Sequence, residues 1–175
     1  PLAALTKLES LTLSNCGALD LSPLEGLQEL EVLGLSSSNE LASLEPLATL
    51  PKLRYLSIGT GTTYPSLEPL TRTHIEFLDM GLVVGDEKTC KGLDYEPLTR
   101  MPDLQYLDLM NHLDLTADLC KRIAAGSPNL RGLDISYTPA ADHSKELQDL
   151  GIEWLQDPTN RSINEFWRRL IYKLT

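Results

Sequence analysis

Three aspartates occupy matching places in this chain: Asp79 follows Phe77 and Leu78, Asp108 follows Tyr106 and Leu107, and Asp134 follows Gly132 and Leu133. A carboxylate beside an aromatic ring can hold Lys or Arg, by charge pairing at its oxygens and a cation–π contact at the ring face. Bond-breaking chemistry has no comparable set of residues. His74, His112 and His143 have no cysteine or carboxylate at a ligand spacing, so no metal site is expected. Gly59-Thr60-Gly61 lacks the third glycine and the Gly-Lys-Ser/Thr of a phosphate loop, and Pro65 makes a turn the plainer reading. Ser36, Ser37 and Ser38 have no base beside them, and no Gly-x-Ser-x-Gly occurs. Asn160-Arg161-Ser162 matches a glycosylation sequon, a pattern short enough to arise by chance. The expectation is a non-catalytic protein with no cofactor and no metal.

Matching aspartates form a site only if the fold brings them together, and composition bounds the folds available. At 175 residues, with 42% hydrophobic and 23% charged residues, the chain can bury a real core as one domain. Its apolar content is 37 Leu against 7 Ile and 3 Val, which argues against a sandwich, barrel or ordinary parallel-sheet core rich in β-branched residues. A net charge of −10 repels phosphate backbones and anionic membranes, so nucleic acid and membrane are excluded as main partners and a basic protein segment is favoured. Cys16, Cys90 and Cys120 are scattered and form no Cys-x-x-Cys pair, which suits a reducing compartment and an intracellular protein, cytoplasmic rather than nuclear. No run approaches the ~20 apolar residues of a membrane span.

The leucines are periodic. The pattern L-x-x-L-x-L recurs at Leu8/Leu11/Leu13, Leu30/Leu33/Leu35, Leu53/Leu56/Ile58, Ile75/Leu78/Met80, Leu104/Leu107/Leu109 and Leu130/Leu133/Ile135, with a degenerate seventh copy at Ile152/Leu155. Successive offsets are 22, 23, 22, 29, 26 and 22 residues. Between triplets stand Leu21-Ser-Pro-Leu24, Leu44-Glu-Pro-Leu47, Leu67-Glu-Pro-Leu70 and Tyr95-Glu-Pro-Leu98, where Pro suits the first turn of a short helical segment. Thr116 to Ala125 reads instead as a true helix, capped by Thr116 and stopped by Gly126 and Pro128.

These motifs resemble the leucine-rich repeat family. The early units are similar to the short repeats of internalins and protein-phosphatase regulators, the later ones to ribonuclease inhibitor and F-box leucine-rich proteins. The resemblance implies an α/β leucine-rich repeat solenoid: a curved right-handed stack, parallel β-sheet on the concave face, and short helices or turns on the convex face. Cys16 takes the place of the family's turn-satisfying Asn or Cys, whereas Ser38, Gly61, Val83, His112 and Thr138 follow in later repeats, which predicts irregular turns from the third repeat onward.

About seven repeats are expected over 1–157, with Pro1 to Leu5 reading as the tail of an earlier repeat and the N-terminal end as truncated. Residues 158–175 read as an amphipathic capping helix, with Ser162 and Glu165 at capping-box spacing and Ile163, Phe166, Trp167, Leu170, Ile171 and Leu174 on one stripe. From Arg161 onward four basic residues stand against Glu165 alone. Such a helix can dock a membrane, nucleic acid or an acidic partner, yet a lid on the last repeat accounts for its apolar stripe. The fourth unit carries an insertion near Val84 to Gly92, read as a decorated surface loop.

Within each triplet the leucines face the core, so the residues between them stand on the concave sheet. The third positions are Ser10, Val32, Tyr55, Phe77, Tyr106, Gly132 and Trp154, an aromatic column interrupted by one glycine. The fifth are Thr12, Gly34, Ser57, Asp79, Asp108, Asp134 and Gln156. Met110, Asn111, Ser136 and Tyr137 extend the surface past the strand ends. The expected partner-binding set is Tyr55, Phe77, Asp79, Tyr106, Asp108, Met110, Asp134, Tyr137 and Trp154, with the rings exposed in register as interface anchors. The function expected is a protein–protein interaction module for a basic segment. The alternative is a scaffold or substrate-receptor subunit of a larger complex such as a ubiquitin ligase.

Overall fold

The computed structural model describes residues 2–36, 40–83 and 92–156. The 158–175 helix, the insertion apart from Gly92, and Cys90 lie outside the described residues. The described residues form nine strands: β1 (Ser10–Ser14), β2 (Ala18–Leu19), β3 (Val32–Ser36), β4 (Glu40–Leu41), β5 (Tyr55–Ser57), β6 (Phe77–Asp79), β7 (Tyr106–Asp108), β8 (Gly132–Asp134) and β9 (Trp154–Gln156). Seven of them form one parallel sheet in the order β1-β3-β5-β6-β7-β8-β9, one strand per leucine triplet. β2 and β4 pair separately at the exits of the first two repeats.

The register lies where the periodicity puts it. Leu11 pairs with Leu33, Leu33 with Leu56, Leu56 with Leu78, Leu78 with Leu107, Leu107 with Leu133 and Leu133 with Leu155. From the second repeat to the sixth these leucines are buried; Leu11 in the first is only half-buried. A fully buried leucine contributes about 1.5–3 kcal/mol of transfer free energy, so the single leucine wall behind the sheet is the main source of stability.

The connections follow local chemistry. Five-residue 3₁₀ segments at Glu45–Thr49, Glu68–Arg72 and Glu96–Arg100 carry Pro46, Pro69 and Pro97 near their starts, where a missing N–H goes unnoticed. Just ahead of each, Ser43, Ser66 or Asp94 accepts the N–H of Glu45, Glu68 or Glu96 at 2.9–3.0 Å. The fifth connection is a ten-residue helix, α1 (Ala117–Gly126), in which Thr116 Oγ1 accepts from the Leu119 N–H and Leu119, Cys120 and Ile123 are buried. A short helix, α2 (Ser144–Gln148), precedes the last strand. Burial pushes the Cys120 thiol up to about 12, which leaves it inert at neutral pH.

The later turns keep their backbone groups satisfied by other means than an asparagine row. Thr62 Oγ1 donates to the Leu35 carbonyl at 2.7 Å and Asn111 Nδ2 to the Leu82 carbonyl at 2.6 Å. His112 lies 2.7 Å from the Met80 carbonyl through Nε2 and 2.7 Å from the Tyr95 hydroxyl through Nδ1. A carbonyl only accepts, so Nε2 carries the proton and Nδ1 accepts from Tyr95. Burial holds the His112 pKa below the ordinary histidine value, in keeping with a neutral ring.

Candidate functional site

On the face opposite the leucine wall the register aligns two columns. Tyr55 pairs with Phe77, Phe77 with Tyr106, Tyr106 with Gly132 and Gly132 with Trp154. Ser57 pairs with Asp79, Asp79 with Asp108, Asp108 with Asp134 and Asp134 with Gln156. Parallel neighbours are about 4.8 Å apart, so residues separated by more than twenty positions in the chain become adjacent.

The rings are placed by stacking and by a void. Phe77 and Tyr106 lie parallel, with centroids 5.0 Å apart and an interplanar angle of 5°. A Cβ on Gly132 would come within 2.3 Å of Tyr106 Cδ1. The glycine that interrupts the aromatic column in sequence is therefore the seat of the Tyr106 ring.

Each aspartate closes the turn that leaves its strand. Oδ1 of Asp79, Asp108 and Asp134 accepts the N–H two residues on, from Gly81 at 3.1 Å, Met110 at 2.9 Å and Ser136 at 2.8 Å. Ser57 Oγ donates to Asp79 Oδ2 at 2.9 Å. A Cβ on Gly81 would lie 2.8 Å from Asp108 Oδ1, so this glycine makes room for that carboxylate. Among the described residues, nothing donates to the second oxygen of Asp108.

The electrostatics are unfavourable to charge. Burial, followed by the neighbouring charges of Asp134 and Asp79, pushes the Asp108 carboxyl well above its usual range. Burial also raises Asp79 and, with a contribution from Asp79, Asp134. Burial and the charges of Asp79 and Asp108 hold the Tyr55 phenol protonated. Among the described residues no ion pair reaches these aspartates. Arg131, the nearest candidate in sequence, is paired with Glu153 at 3.4 Å.

The expectation of a row exposed to water is corrected at three positions: Tyr55, Tyr106 and Asp134 are only 7%, 6% and 3% accessible. Phe77, Asp79, Asp108 and Met110 are half-buried, and Tyr137 is 58% exposed. Trp154 joins the register through its strand, but its side chain is outside the description.

Sequence reasoning placed Tyr137 on this surface but missed its apolar neighbours along the rim. Val83 and Leu113 are each 55% exposed and, with Tyr137, stand at the strand exits of three consecutive repeats. Tyr137 and Asn111 share the left-handed conformation, at φ +60° and +63°. A bulky aromatic in that region is uncommon, so the backbone holds the Tyr137 ring outward at a conformational cost. Nothing in a single sequence signals this φ, although its place one repeat after Asn111 hints at it.

No known family profile matches the chain, and no curated protein sequence matches it. Among solved structures it is similar to internalin C2 from Listeria monocytogenes, with a TM-score of 0.56 and 21% identity over 89% of this chain and 74% of that one. The fold is thus a leucine-rich repeat solenoid with its parallel sheet on the concave side.

Proposed function

We propose that the chain is a non-catalytic protein-interaction module whose concave face grips a basic segment of a partner protein. One observation carries the reading: Asp79, Asp108 and Asp134 lie in register beside the stacked Phe77 and Tyr106, with no cation from the described residues paired to them. Like charges on adjacent strands destabilise a sheet, and an arriving Lys or Arg relieves that repulsion while stacking on the rings. The exposed Val83, Leu113 and Tyr137 supply apolar contact beside the charges.

The test is calorimetric titration of a synthetic Lys/Arg-rich peptide into the full chain at two salt concentrations. Asp79→Ala, Asp108→Ala and Tyr106→Ala are expected to weaken binding by roughly tenfold each, the effect of losing an interface anchor, and the aspartate variants to flatten its salt dependence. Unchanged affinity with unchanged salt dependence refutes the reading.

A second reading, a scaffold or substrate-receptor subunit of a larger assembly such as a ubiquitin ligase, is favoured by α1. It is a full helix where earlier connections are short turns, as in the longer repeats of F-box leucine-rich proteins. A parent protein with no adaptor-binding segment would count against it.

A further inference from the structure

The three aspartates of the concave row are not equivalent. Both oxygens of Asp79 are taken within the fold, Oδ1 by the Gly81 N–H at 3.1 Å and Oδ2 by the Ser57 hydroxyl at 2.9 Å. Asp108 and Asp134 each give Oδ1 to a turn, where it accepts from Met110 at 2.9 Å and from Ser136 at 2.8 Å. Among the described residues no donor is bonded to Oδ2 of either. Asp108 and Asp134 are register partners on β7 and β8, so the two carboxylates stand about one strand spacing, ~4.8 Å, apart.

A second feature marks the same place. Ser136 is only 2% accessible, and its hydroxyl has no hydrogen-bond partner. Buried side-chain hydroxyls are nearly always bonded, so this one asks for an explanation. It stands near enough to Asp134 to favour the ionised carboxylate there, which makes it part of the same cluster. The matching turn positions of the two preceding repeats hold Gly81 and Met110, which have no hydroxyl to offer. Exposure is graded across the group: Asp108 is half-buried, whereas Asp134 and Ser136 lie behind it at 3% and 2%. A group that reaches Asp134 past Asp108 must be slender.

We propose that Asp108, Asp134 and Ser136 form a seat for the side-chain ammonium of one lysine of the partner, and that the module selects lysine over arginine there. The inference rests on the reading that this face takes a basic segment. An ammonium has three donors and no acceptor, which matches one spare oxygen on each carboxylate and the serine oxygen. At about 2.8 Å from each of two oxygens it bridges up to ~5.6 Å, more than the strand spacing. The serine oxygen, held by no bond, meets it by turning about χ1 between staggered wells. A guanidinium binds best to both oxygens of one carboxylate, and neither Asp108 nor Asp134 has both to give. Three oxygens also serve a divalent metal poorly, since Ca²⁺ takes about six to eight. Burial and then the charges of Asp134 and Asp79 push the Asp108 carboxyl up, and a seated cation offsets both.

The experiment is calorimetric titration of the full chain with three versions of one synthetic peptide: lysine at every basic place, arginine at those places, and Nε-trimethyllysine at those places. Trimethylation keeps the charge and removes every N–H donor. The lysine peptide is expected to bind about tenfold tighter than either of the others, the factor that a charge-assisted hydrogen bond carries. Ser136→Ala breaks no side-chain hydrogen bond of the free chain, and it is expected to weaken the lysine peptide by roughly three- to tenfold while leaving the arginine peptide unchanged. Asp79→Asn is expected to weaken both peptides alike and preserve their ratio. An arginine or trimethyllysine peptide that binds as tightly as the lysine peptide overturns the seat and leaves basic-segment recognition standing. Binding by none of the three rejects both. Stabilisation of the free chain by millimolar Ca²⁺, lost in Ser136→Ala, would make this a metal site and overturn the proposal. Should Ser136→Ala fold poorly, the three peptides on the wild type decide alone.

Discussion

The two faces of the solenoid hold their carboxylates in opposite states. On the convex side Glu68 accepts from Arg100 at 3.0 and 2.6 Å, Glu29 pairs with Lys52, and Glu146 is held by His143 and Lys121. All three sit in water, and their cationic partners draw their pKa values below the usual range. On the concave side Asp79, Asp108 and Asp134 are pushed the other way by burial and have no cationic partner among the described residues. The fold itself does not ask for aspartate there. In the same column the first three repeats use Thr12, Gly34 and Ser57, on strands of identical register. Acidic residues that cost stability where a neutral residue would serve support the proposal that this face takes a basic segment.

The largest expected effect tests whether the leucine wall supports both faces equally. Leu78 is wholly buried in mid-sheet, while Leu11 in the first repeat is only half-buried. Leu78→Ala is expected to lower the unfolding free energy by about 2–5 kcal/mol, and Leu11→Ala by less than half as much, in urea titrations. Equal losses would mean that the first repeat is as tightly packed as the middle ones, and would erase the contrast between them.

An intermediate effect separates the faces by pH. The Asp108 carboxyl is raised above its ordinary value of 3.8, so between that value and its folded pKa the native state binds more protons than the unfolded chain. Its contribution to stability is therefore full below the unfolded pKa and lost as pH rises through the folded one. Asp108→Asn removes this loss and retains an oxygen for the Met110 N–H. It is expected to stabilise the chain at about pH 7 by on the order of 1 kcal/mol, and to give no advantage near pH 3, in denaturation series. Glu68 behaves in the opposite sense, since its pKa is lowered: its contribution is present above 4.5 and fades as pH falls. A destabilised Asp108→Asn at neutral pH would mean that a cation already neutralises the column.

How far this contrast was legible depends on how far each feature is from local. Alternation within L-x-x-L-x-L and the repeat period together specify which side chains become neighbours, so the pattern alone sets Asp79, Asp108 and Asp134 side by side. The fate of Tyr55 and Tyr106 was not readable, because burial depends on what covers a face and no strand pattern encodes that. Gly132 read as a gap because a missing side chain does not announce which ring will fill it. Thr62 is not legible as a turn-satisfying group, and His112, which stands at the turn position, shows no partner in the sequence, for a related reason: each reaches a carbonyl 27 or 32 residues back, across a connection of variable length.

The smallest expected effect sharpens the comparison from the convex side. Arg100 and Glu68 are both about half exposed, so their two hydrogen bonds trade against equally good ones to water, and salt screens what remains. Arg100→Ala is expected to leave the urea midpoint unchanged at physiological salt, while the Glu68 carboxyl, followed by NMR, titrates at a higher pH than in the wild type. The concave tyrosine and aspartate resonances should not move. A clear loss of stability would mean that the ladder Glu45–Arg72, Glu68–Arg100 and Glu96–Arg122 acts as a unit along the convex side. In that case the outer carboxylates would be structural in the same sense as the leucines, and burial alone would no longer distinguish the two populations.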